Sequence, residues 1–281
     1  MARVAGSTAL TAPVQASSLA TRVIHYASRV AARSFTIVVL LLVWEALAHS
    51  GVVSRFMLPP LPSVIVRIIE QLGSGEFFVE AGRTLSRALA GFAVAGLAGT
   101  VLGMLMVRNA AARWFFEPVI SVGFPMPKVA FLPIFILWFG VYDLSKITMI
   151  IVDAVFPVIT ATIVGLQGVE REIVWSARNM GATERQVLWQ VMLPAALPQI
   201  LTGLQVALPI AIIIAIATEM LMGGVGLGGA MLEASRSADS ASVFAGLVET
   251  TAVGYAAIKA MALVRRRLLS WHQETQRSTG F

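Results

Sequence analysis

Residues 175–194 read WSARNMGATERQVLWQVMLP, and this charged stretch lies between two segments that are apolar enough to cross a bilayer. Four apolar residues at helical spacing create a single apolar face along its first helix: Ile173, Val174, Ala177 and Met180. Gly181 can adopt the left-handed conformation that ends a helix. The pattern predicts an amphipathic helix–turn–helix hairpin over residues 170–193.

The second half of the hairpin opens with a capping-box signal, because Thr183 is followed three residues later by Gln186. The apolar face continues through Val187, Leu188, Val191 and Met192. Pro194 is expected to open the turn into the next apolar segment. On physical grounds alone, two interpretations stay open. The hairpin is either a cytoplasmic docking element for a soluble partner or an amphipathic loop that lies on the membrane surface.

The composition indicates a membrane protein. The chain is 57% hydrophobic and 13% charged, with a mean hydropathy of +0.82, whereas soluble domains carry about 25% charged residues. The apolar blocks are about 17–25 residues long, the length of a helix that spans the hydrocarbon core. They lack the alternation of barrel strands, so we predict an all-α polytopic membrane protein.

Six spanning helices are predicted, at residues 33–50, 87–107, 114–140, 145–167, 196–222 and 243–264. The domains are then a polar cytoplasmic tail (1–33), a transmembrane domain (34–267) and a second cytoplasmic tail (268–281). The first tail is similar to the n-region of a signal peptide. Five further apolar blocks follow the first one, which favours an uncleaved first helix.

Two of these segments carry special backbone features. In the second, small residues recur every four positions and would let helices approach closely in lipid: Gly91, Ala95, Gly99 and Gly103. In the third, three prolines each remove a helix hydrogen bond, so a broken segment is expected: Pro125, Pro127 and Pro133. After the first segment, the extended stretch LPPLPS (58–63) precedes a short amphipathic helix over residues 64–72, which Ser63 is expected to cap.

The distribution of basic residues predicts the orientation. The more basic loops contain Arg3, Arg22, Arg29, Arg33, Arg108, Arg113, Arg171, Arg178, Arg185, Arg265, Arg266 and Arg267. The opposite loops contain Arg55, Arg67, Arg83, Lys146 and Arg236, together with Glu70, Glu76 and Glu80. The first set is expected in the cytoplasm, with both termini and the hairpin.

Ionisable residues within or near the spanning segments are Glu45, Lys128, Asp153, Glu219, Glu249 and Lys259. Such residues are costly in lipid and usually face the bundle interior or a water-filled path. Glu45 and Lys259 lie near helix ends, where their side chains can snorkel to the interface. Lys128, Asp153 and Glu219 are the candidates for a substrate pathway, with a structural ion pair as the alternative for each.

Several functional classes are disfavoured. The net charge of +6 is concentrated at the ends of apolar blocks, so no nucleic acid is expected as a partner. The chain has no cysteine, and His25, His49 and His272 are scattered, so no metal, cofactor or catalytic residue is expected. Gly224, Gly226 and Gly229 satisfy G-x-G-x-x-G but follow a membrane segment, which favours a flexible extracytoplasmic turn.

The hairpin resembles the EAA loop of bacterial ABC-importer permeases, in which a Glu-Ala-Ala triplet precedes a glycine and an Ile-x-Leu-Pro ending. Gly181 and Val191-Met192-Leu193-Pro194 stand at the family spacing, and Trp175-Ser176-Ala177 occupies the triplet without its glutamate. Further segments resemble the nitrate/sulfonate/taurine branch: LPPLPS (58–63), PKVAFLP (127–133), ILWFG (136–140), and Glu219-Met220 followed by Gly226-Leu227-Gly228.

This resemblance implies the fold of a type I importer permease, six transmembrane helices with a cytoplasmic coupling helix. It implies four kinds of partner: cytoplasmic ATP-binding subunits, an extracytoplasmic solute-binding protein, a second permease copy and membrane lipid. It assigns ATPase coupling to Ala177, Arg178, Gly181, Glu184, Leu193 and Pro194. Glu172 and Glu184 are the candidates to replace the missing glutamate.

Two other functions fit the sequence less well. A membrane-embedded enzyme would need facing nucleophiles, bases or metal ligands, and the spans hold no cysteine and no internal histidine. An ion-coupled transporter working alone would often show broken helices in both halves, whereas only the third segment is proline-broken. The chain has no G-x-x-x-x-G-K-[ST], so ATP hydrolysis must come from another subunit. The branch resemblance points to sulfonates, taurine or nitrate, with pyrimidine precursors of thiamine or other non-anionic solutes as alternatives.

Overall fold

The computed structural model describes residues 35–270 of the chain. The predicted tail over residues 1–33, and residues 271–281 of the second tail, lie outside the described residues. The chain divides into two compact units, one up to Leu61 and the other from Pro62 onwards. Every regular element within residues 35–270 is helical, which confirms the all-α class.

The helices are, in chain order, α1 (Phe35–His49), α2 (Leu61–Ser74), α3 (Glu76–Arg108), α4 (Ala110–Gly123), α5 (Leu132–Phe139), α6 (Asp143–Gln167), α7 (Arg171–Asn179), α8 (Glu184–Gln186), α9 (Leu193–Met222), α10 (Leu227–Arg236) and α11 (Ser240–Leu268). A 3-10 turn, Lys128–Phe131, precedes α5, and a π-helical turn, Val187–Met192, joins α8 to α9.

Polar contacts close the first unit on itself. The indole Nε1 of Trp44 donates a hydrogen bond to the Pro59 carbonyl at 2.9 Å. The backbone N–H of Leu61 donates to Glu45 Oε2 at 2.9 Å, so Glu45 satisfies the first orphan donor of α2 and does not simply snorkel. The prediction that Ser63 caps this helix is wrong, because the helix already begins at Leu61.

Glycines let α3 lie directly against α6. A Cβ atom at Gly99 would come within 2.8 Å of Val158 Cβ, and one at Gly103 within 2.7 Å of Thr162 Cβ. Both contacts advance in the same direction along the two helices, so α3 and α6 run parallel. The predicted close approach at the small residues of α3 is confirmed.

The core of the second unit lies between α3, α6 and α9. Its fully buried side chains include Ala88, Ala95, Met149, Ile150, Ala154, Val158, Ala207 and Ala211. The buried residues of α3 in this core are alanines, whereas α6 and α9 supply both alanines and larger side chains such as Met149 and Leu208. Small side chains let the three helices pack closely against the larger ones. Close packing matters here because the hydrophobic effect does not drive helices together in lipid.

The third predicted segment is broken, as expected. Helix α4 and the Lys128–Phe139 segment meet at an angle of 99°. Pro125 and Pro127 lie at this break, whereas Pro133 stands in the first turn of α5, where its missing N–H removes no helix bond. The freed backbone lies next to Lys128, whose ammonium donates to the Phe124 carbonyl at 3.0 Å.

Four described helices are long and apolar enough to cross a membrane, and there are five spans if the bent pair is counted as one. The remaining predicted span corresponds to α1, a shorter apolar helix that begins at the first described residue. Helix α3 begins at Glu76, eleven residues before the predicted start at 87. The sequence predicts a polar loop up to residue 86, because Glu80 and Arg83 interrupt the apolar run.

Candidate functional site

The turn of the hairpin is built around Gly181. This residue has φ +86°, the left-handed conformation predicted for it. Its N–H donates to the Arg178 carbonyl at 2.9 Å, and the next N–H, from Ala182, donates to the Ala177 carbonyl at 3.1 Å. These bonds satisfy carbonyls at the end of α7, and they fix the direction in which the chain leaves it.

The second half of the hairpin begins with the predicted capping box. The Thr183 hydroxyl accepts from the Gln186 N–H at 3.4 Å, and the Gln186 side chain accepts from the Thr183 N–H at 2.8 Å. An ion pair closes the turn, with Arg178 Nε 2.9 Å from Glu184 Oε1. The Arg178 Nη2 also donates to Glu184 Oε2 at 2.9 Å, so the contact is bidentate.

The connection from the hairpin into α9 differs from the prediction. No turn forms at Pro194. Instead a π-helical turn, Val187–Met192, runs directly into α9, and the Leu193 N–H donates to the Leu188 carbonyl five residues back. Pro194 lies at the start of the α-helical stretch, where a missing N–H is tolerated. The second half of the hairpin, from Glu184 onwards, is therefore continuous with the helix of the fifth span.

The coupling residues predicted from the resemblance fall into two groups. Ala177 is buried and Leu193 packs beside a small core of Leu166, Leu188, Ala196 and Ile200, so these two stabilise the hairpin from within. Arg178, Gly181, Glu184 and Pro194 are exposed. Large apolar side chains are exposed beside them, with Trp175 at 57%, Met180 at 79% and Trp189 at 53%. Trp175 occupies the position of the missing glutamate.

Two of the three pathway candidates lie together at the break in the third segment. The ammonium of Lys128 is 2.9 Å from Asp153 Oδ1 and lies 4.9 Å from the centre of the Phe156 ring. Lys128 is buried, while Asp153 keeps a fifth of its side chain exposed. This is an ion pair midway along α6 that retains some access from outside the protein.

The third candidate, Glu219, lies apart from that pair and is fully buried near the end of α9. Its Oε1 accepts from Arg87 Nη1 at 2.6 Å, and its Oε2 accepts from the Thr84 hydroxyl at 2.8 Å and the Gly228 N–H at 3.1 Å. Arg87 also contacts Asp143, with Nη2 2.8 Å from Oδ1. Arg87 was not among the residues predicted from the sequence.

The glycine-rich loop is seated on this network. The Leu227 N–H donates to the Thr84 hydroxyl at 2.9 Å, the Gly226 N–H donates to Glu80, and Lys146 donates to the Gly223 carbonyl at 2.8 Å. A Cβ atom at Gly226 would collide with the Glu219 carboxylate. The prediction of a flexible turn at residues 223–229 is wrong, because buried polar groups hold its backbone.

Residues 95–270 match the family described as "Binding-protein-dependent transport system inner membrane component". The match covers more than half of the 281 residues. The chain belongs to this family. It is therefore a multi-pass component of the inner membrane, as the composition and the apolar segments predicted.

Relatives in the nitrate, sulfonate and taurine branch match most of this permease. It is 30% identical over 246 residues to the taurine transport system permease protein TauC of Escherichia coli, covering 86% of this chain and 90% of that protein. It is 31% identical to the putative aliphatic sulfonates transport permease protein SsuC of Bacillus subtilis, covering 83% and 84%. It is 30% identical to the nitrate import permease protein NrtB of Synechocystis sp., covering 82% and 86%.

Among solved structures, this permease is similar to a chain of the MetNI methionine ABC transporter in an inward-facing conformation. The TM-score is 0.52 at 17% sequence identity, covering 68% of this chain and 95% of that chain. At this identity the similarity concerns the fold alone. It confirms the predicted fold of an ABC-importer permease.

Proposed function

We propose that this permease forms the translocation pathway of an ATP-binding-cassette importer and that the hairpin over residues 170–193 couples it to a separate ATP-binding subunit. The observation that carries this proposal is the construction of the hairpin. A left-handed glycine, a capping box and the Arg178–Glu184 pair make its turn rigid. Around that turn, Trp175, Met180 and Trp189 expose apolar surface outside the spanning portion of the helices.

The continuity of the helices supports a mechanical role. Helix α6 ends at Gln167, shortly before the hairpin, and α9 continues from it without a turn. We expect a displacement of the hairpin by a partner to be transmitted along this continuous helix, which contains Pro198 and Pro209. Near the far end of α9, the Glu219 carboxylate accepts a hydrogen bond from the Gly228 N–H and so holds the glycine-rich loop. One helix thus joins the proposed coupling element to the opposite end of the bundle.

The remaining partners follow from the proposed function. The family description names binding-protein-dependent transport, which supports a solute-binding protein on the opposite side of the membrane. Broad apolar faces, including Trp114, Phe115 and Leu137, are exposed on the isolated chain. They suit membrane lipid and a second permease copy. ATP hydrolysis belongs to the separate subunit, and the permease itself acts as a transport component.

We propose small sulfonates, taurine or nitrate as the substrate class, because three relatives that are 30–31% identical to the chain are named for these solutes. A relative named for formylaminopyrimidine transport is also 30% identical, which makes a pyrimidine the second candidate. Lys128 and Asp153 remain the pathway candidates, since Asp153 keeps some exposure at the break in the third segment. Glu219 is the weaker candidate, because its carboxylate oxygens are already engaged inside the protein.

The turn of the hairpin provides the test. Gly181→Val would force a β-branched residue into a left-handed conformation, at a cost of roughly 1–2 kcal/mol or more, without any steric contact, because nothing lies within 4 Å of its Cβ position. The variant should insert into the membrane normally. It should lose association with the ATP-binding subunit, or hydrolyse ATP without uptake, in vesicles that contain the complete transporter.

Gly51→Val is the matched control, because Gly51 also has a left-handed φ, of +76°, and open space around its Cβ position. It lies outside the hairpin, so its coupling should stay that of the wild type. Normal uptake and normal coupling in Gly181→Val would refute the coupling role. Uptake by the permease without any ATP-binding subunit would support the ion-coupled alternative instead.

A further inference from the structure

A small recess lies between α2, α3, α10 and α11, close to the glycine-rich loop. Its volume is about 10 Å³, which is close to the space that one water-sized body occupies. Polar side chains from three of these helices line it: Gln71, Glu76, Glu80, Ser242 and Glu249. Phe77 and Met231 contribute apolar wall.

Two buried acceptors in this recess have no partner. Within residues 35–270, neither Gln71 Oε1 nor Glu249 Oε1 receives a hydrogen bond. Glu249 is only 6% exposed. A buried carboxylate without a compensating donor or cation is strongly destabilising. Gln71 and Glu249 line the same recess although they come from α2 and α11, so a donor or cation in that space lies beside both side chains.

A wider cavity shares part of the wall of the recess, and we take it as the entrance. Gln71, Glu76, Glu80 and Ser242 also line a cavity of about 740 Å³, which is open on one side. The charged groups of that cavity are mainly acidic: Glu70, Glu76, Glu80, Glu233 and Asp239 stand against Arg67 and Arg236. Although the whole chain has a net charge of +6, this entrance therefore attracts cations.

The acidic character of the entrance is maintained by local contacts. The Ser242 hydroxyl donates to Asp239 at 2.6 Å and holds the pKa of that carboxyl below its usual range. Arg67 is already paired, with Nη2 3.0 Å from Asp239 and Nη1 3.0 Å from Glu70. Its guanidinium therefore neutralises carboxylates of the wider cavity and does not reach the unpaired oxygens of the recess.

We propose that this recess binds one small monovalent cation, with Glu249 Oε1 and Gln71 Oε1 as its ligands. The water-sized space suits an alkali ion or ammonium. Within the described residues, no three His, Cys, Asp or Glu side chains converge as a site for a divalent metal needs. The bound cation would join α2 to α11 beside the Glu80–Gly226 contact and so fix the outer helices around the glycine-rich loop. This site goes beyond the proposed ATP coupling and does not depend on it.

The test measures thermal unfolding of the purified full-length permease in lipid nanodiscs. Sodium, potassium and ammonium chloride are each titrated against choline chloride at constant ionic strength, because choline is too large for the recess. At least one of the three ions should raise the unfolding temperature in a saturable manner. Glu249→Gln should weaken the apparent affinity for that ion by about tenfold or more, since it removes a charged ligand.

Two further variants keep the proposal falsifiable. Gln71→Leu removes the other ligand and should also weaken ion binding, which provides a second test if Glu249→Gln does not fold. Glu233→Gln removes an exposed carboxylate of the wider cavity and should leave binding unchanged. An equal response to all four salts would overturn the proposal and indicate that Glu249 carries a proton. An unaltered ion response in Glu249→Gln or Gln71→Leu would overturn it as well.

Discussion

At the scale of single residues, Glu219 shows how a buried charge is made tolerable. A carboxylate inside a membrane protein must be paired and hydrogen-bonded. Both of its oxygens are engaged, one by Arg87 and the other by Thr84 and Gly228. Arg87 in turn is shared with Asp143 and the Val225 carbonyl. These contacts favour the structural alternative for Glu219 over a substrate-pathway role.

Removal of this charge should therefore destabilise the protein. Glu219→Gln leaves the buried Arg87 with the partly exposed Asp143 as its remaining carboxylate partner among the described residues, and breaking a buried pair costs about 3–5 kcal/mol. Asp143→Asn is the matched control, because its side chain is 54% exposed and an exposed pair contributes about 0–1 kcal/mol. The measurement is the free energy of unfolding of each variant in detergent. If Glu219→Gln unfolds like the wild type but loses uptake, Glu219 belongs to the pathway.

Of this network, the sequence predicted the buried carboxylate of Glu219 but not its partner Arg87. Glu219 was recognisable as a charge in an apolar segment. Arg87 lies 132 residues away, and nothing local pairs the two. The available clue was the helical spacing of Glu80, Thr84 and Arg87, which places three polar groups on one face. Such a face indicates a helix whose polar side chains meet a polar group inside the protein, whereas the interrupted apolar run predicts a loop up to residue 86.

At the scale of elements, small-residue spacing was the most informative pattern. It predicted close helix contact because the chemistry is local: a missing side chain every four residues forms a groove along α3. The proline-broken third segment was predictable for the same reason. The π-helical turn before α9 was not, because a widened helical turn has no residue signature and depends on how the hairpin packs on Leu166 and Ile200.

The packing groove of α3 can be tested with one substitution at two sites. Gly99→Leu would drive a side chain into Val158 Cβ at 2.8 Å and the Val155 carbonyl at 3.0 Å, so overpacking should cost about 1–3 kcal/mol. Gly82→Leu, on the same helix, has nothing within 4 Å of its Cβ position and should change stability by about 0.5 kcal/mol or less. Unfolding in detergent measures both. Equal stability of the two variants would show that Gly99 faces lipid.

At the scale of the whole molecule, the directions of the helices agree with the charge distribution. Helix α3 ends at Arg108, α11 ends after Arg265, Arg266 and Arg267, and the hairpin follows α6, which runs parallel to α3. These four arginines thus lie at the same end of the bundle as the hairpin. The glycine-rich loop and the acidic cavity lie at the other end. By the positive-inside rule, the first end belongs in the cytoplasm.

This orientation can be measured directly because the chain contains no cysteine. Single cysteines at Ser74, Ala110, Glu184 and Ser237 would all be exposed, so accessibility to a reagent depends only on the side of the membrane. In intact spheroplasts, a membrane-impermeant maleimide should label Ser74→Cys and Ser237→Cys. It should label Ala110→Cys and Glu184→Cys only after permeabilisation, which also serves as the control for reactivity. Labelling of Glu184→Cys from outside would invert the topology and remove the hairpin from the reach of any cytoplasmic ATPase.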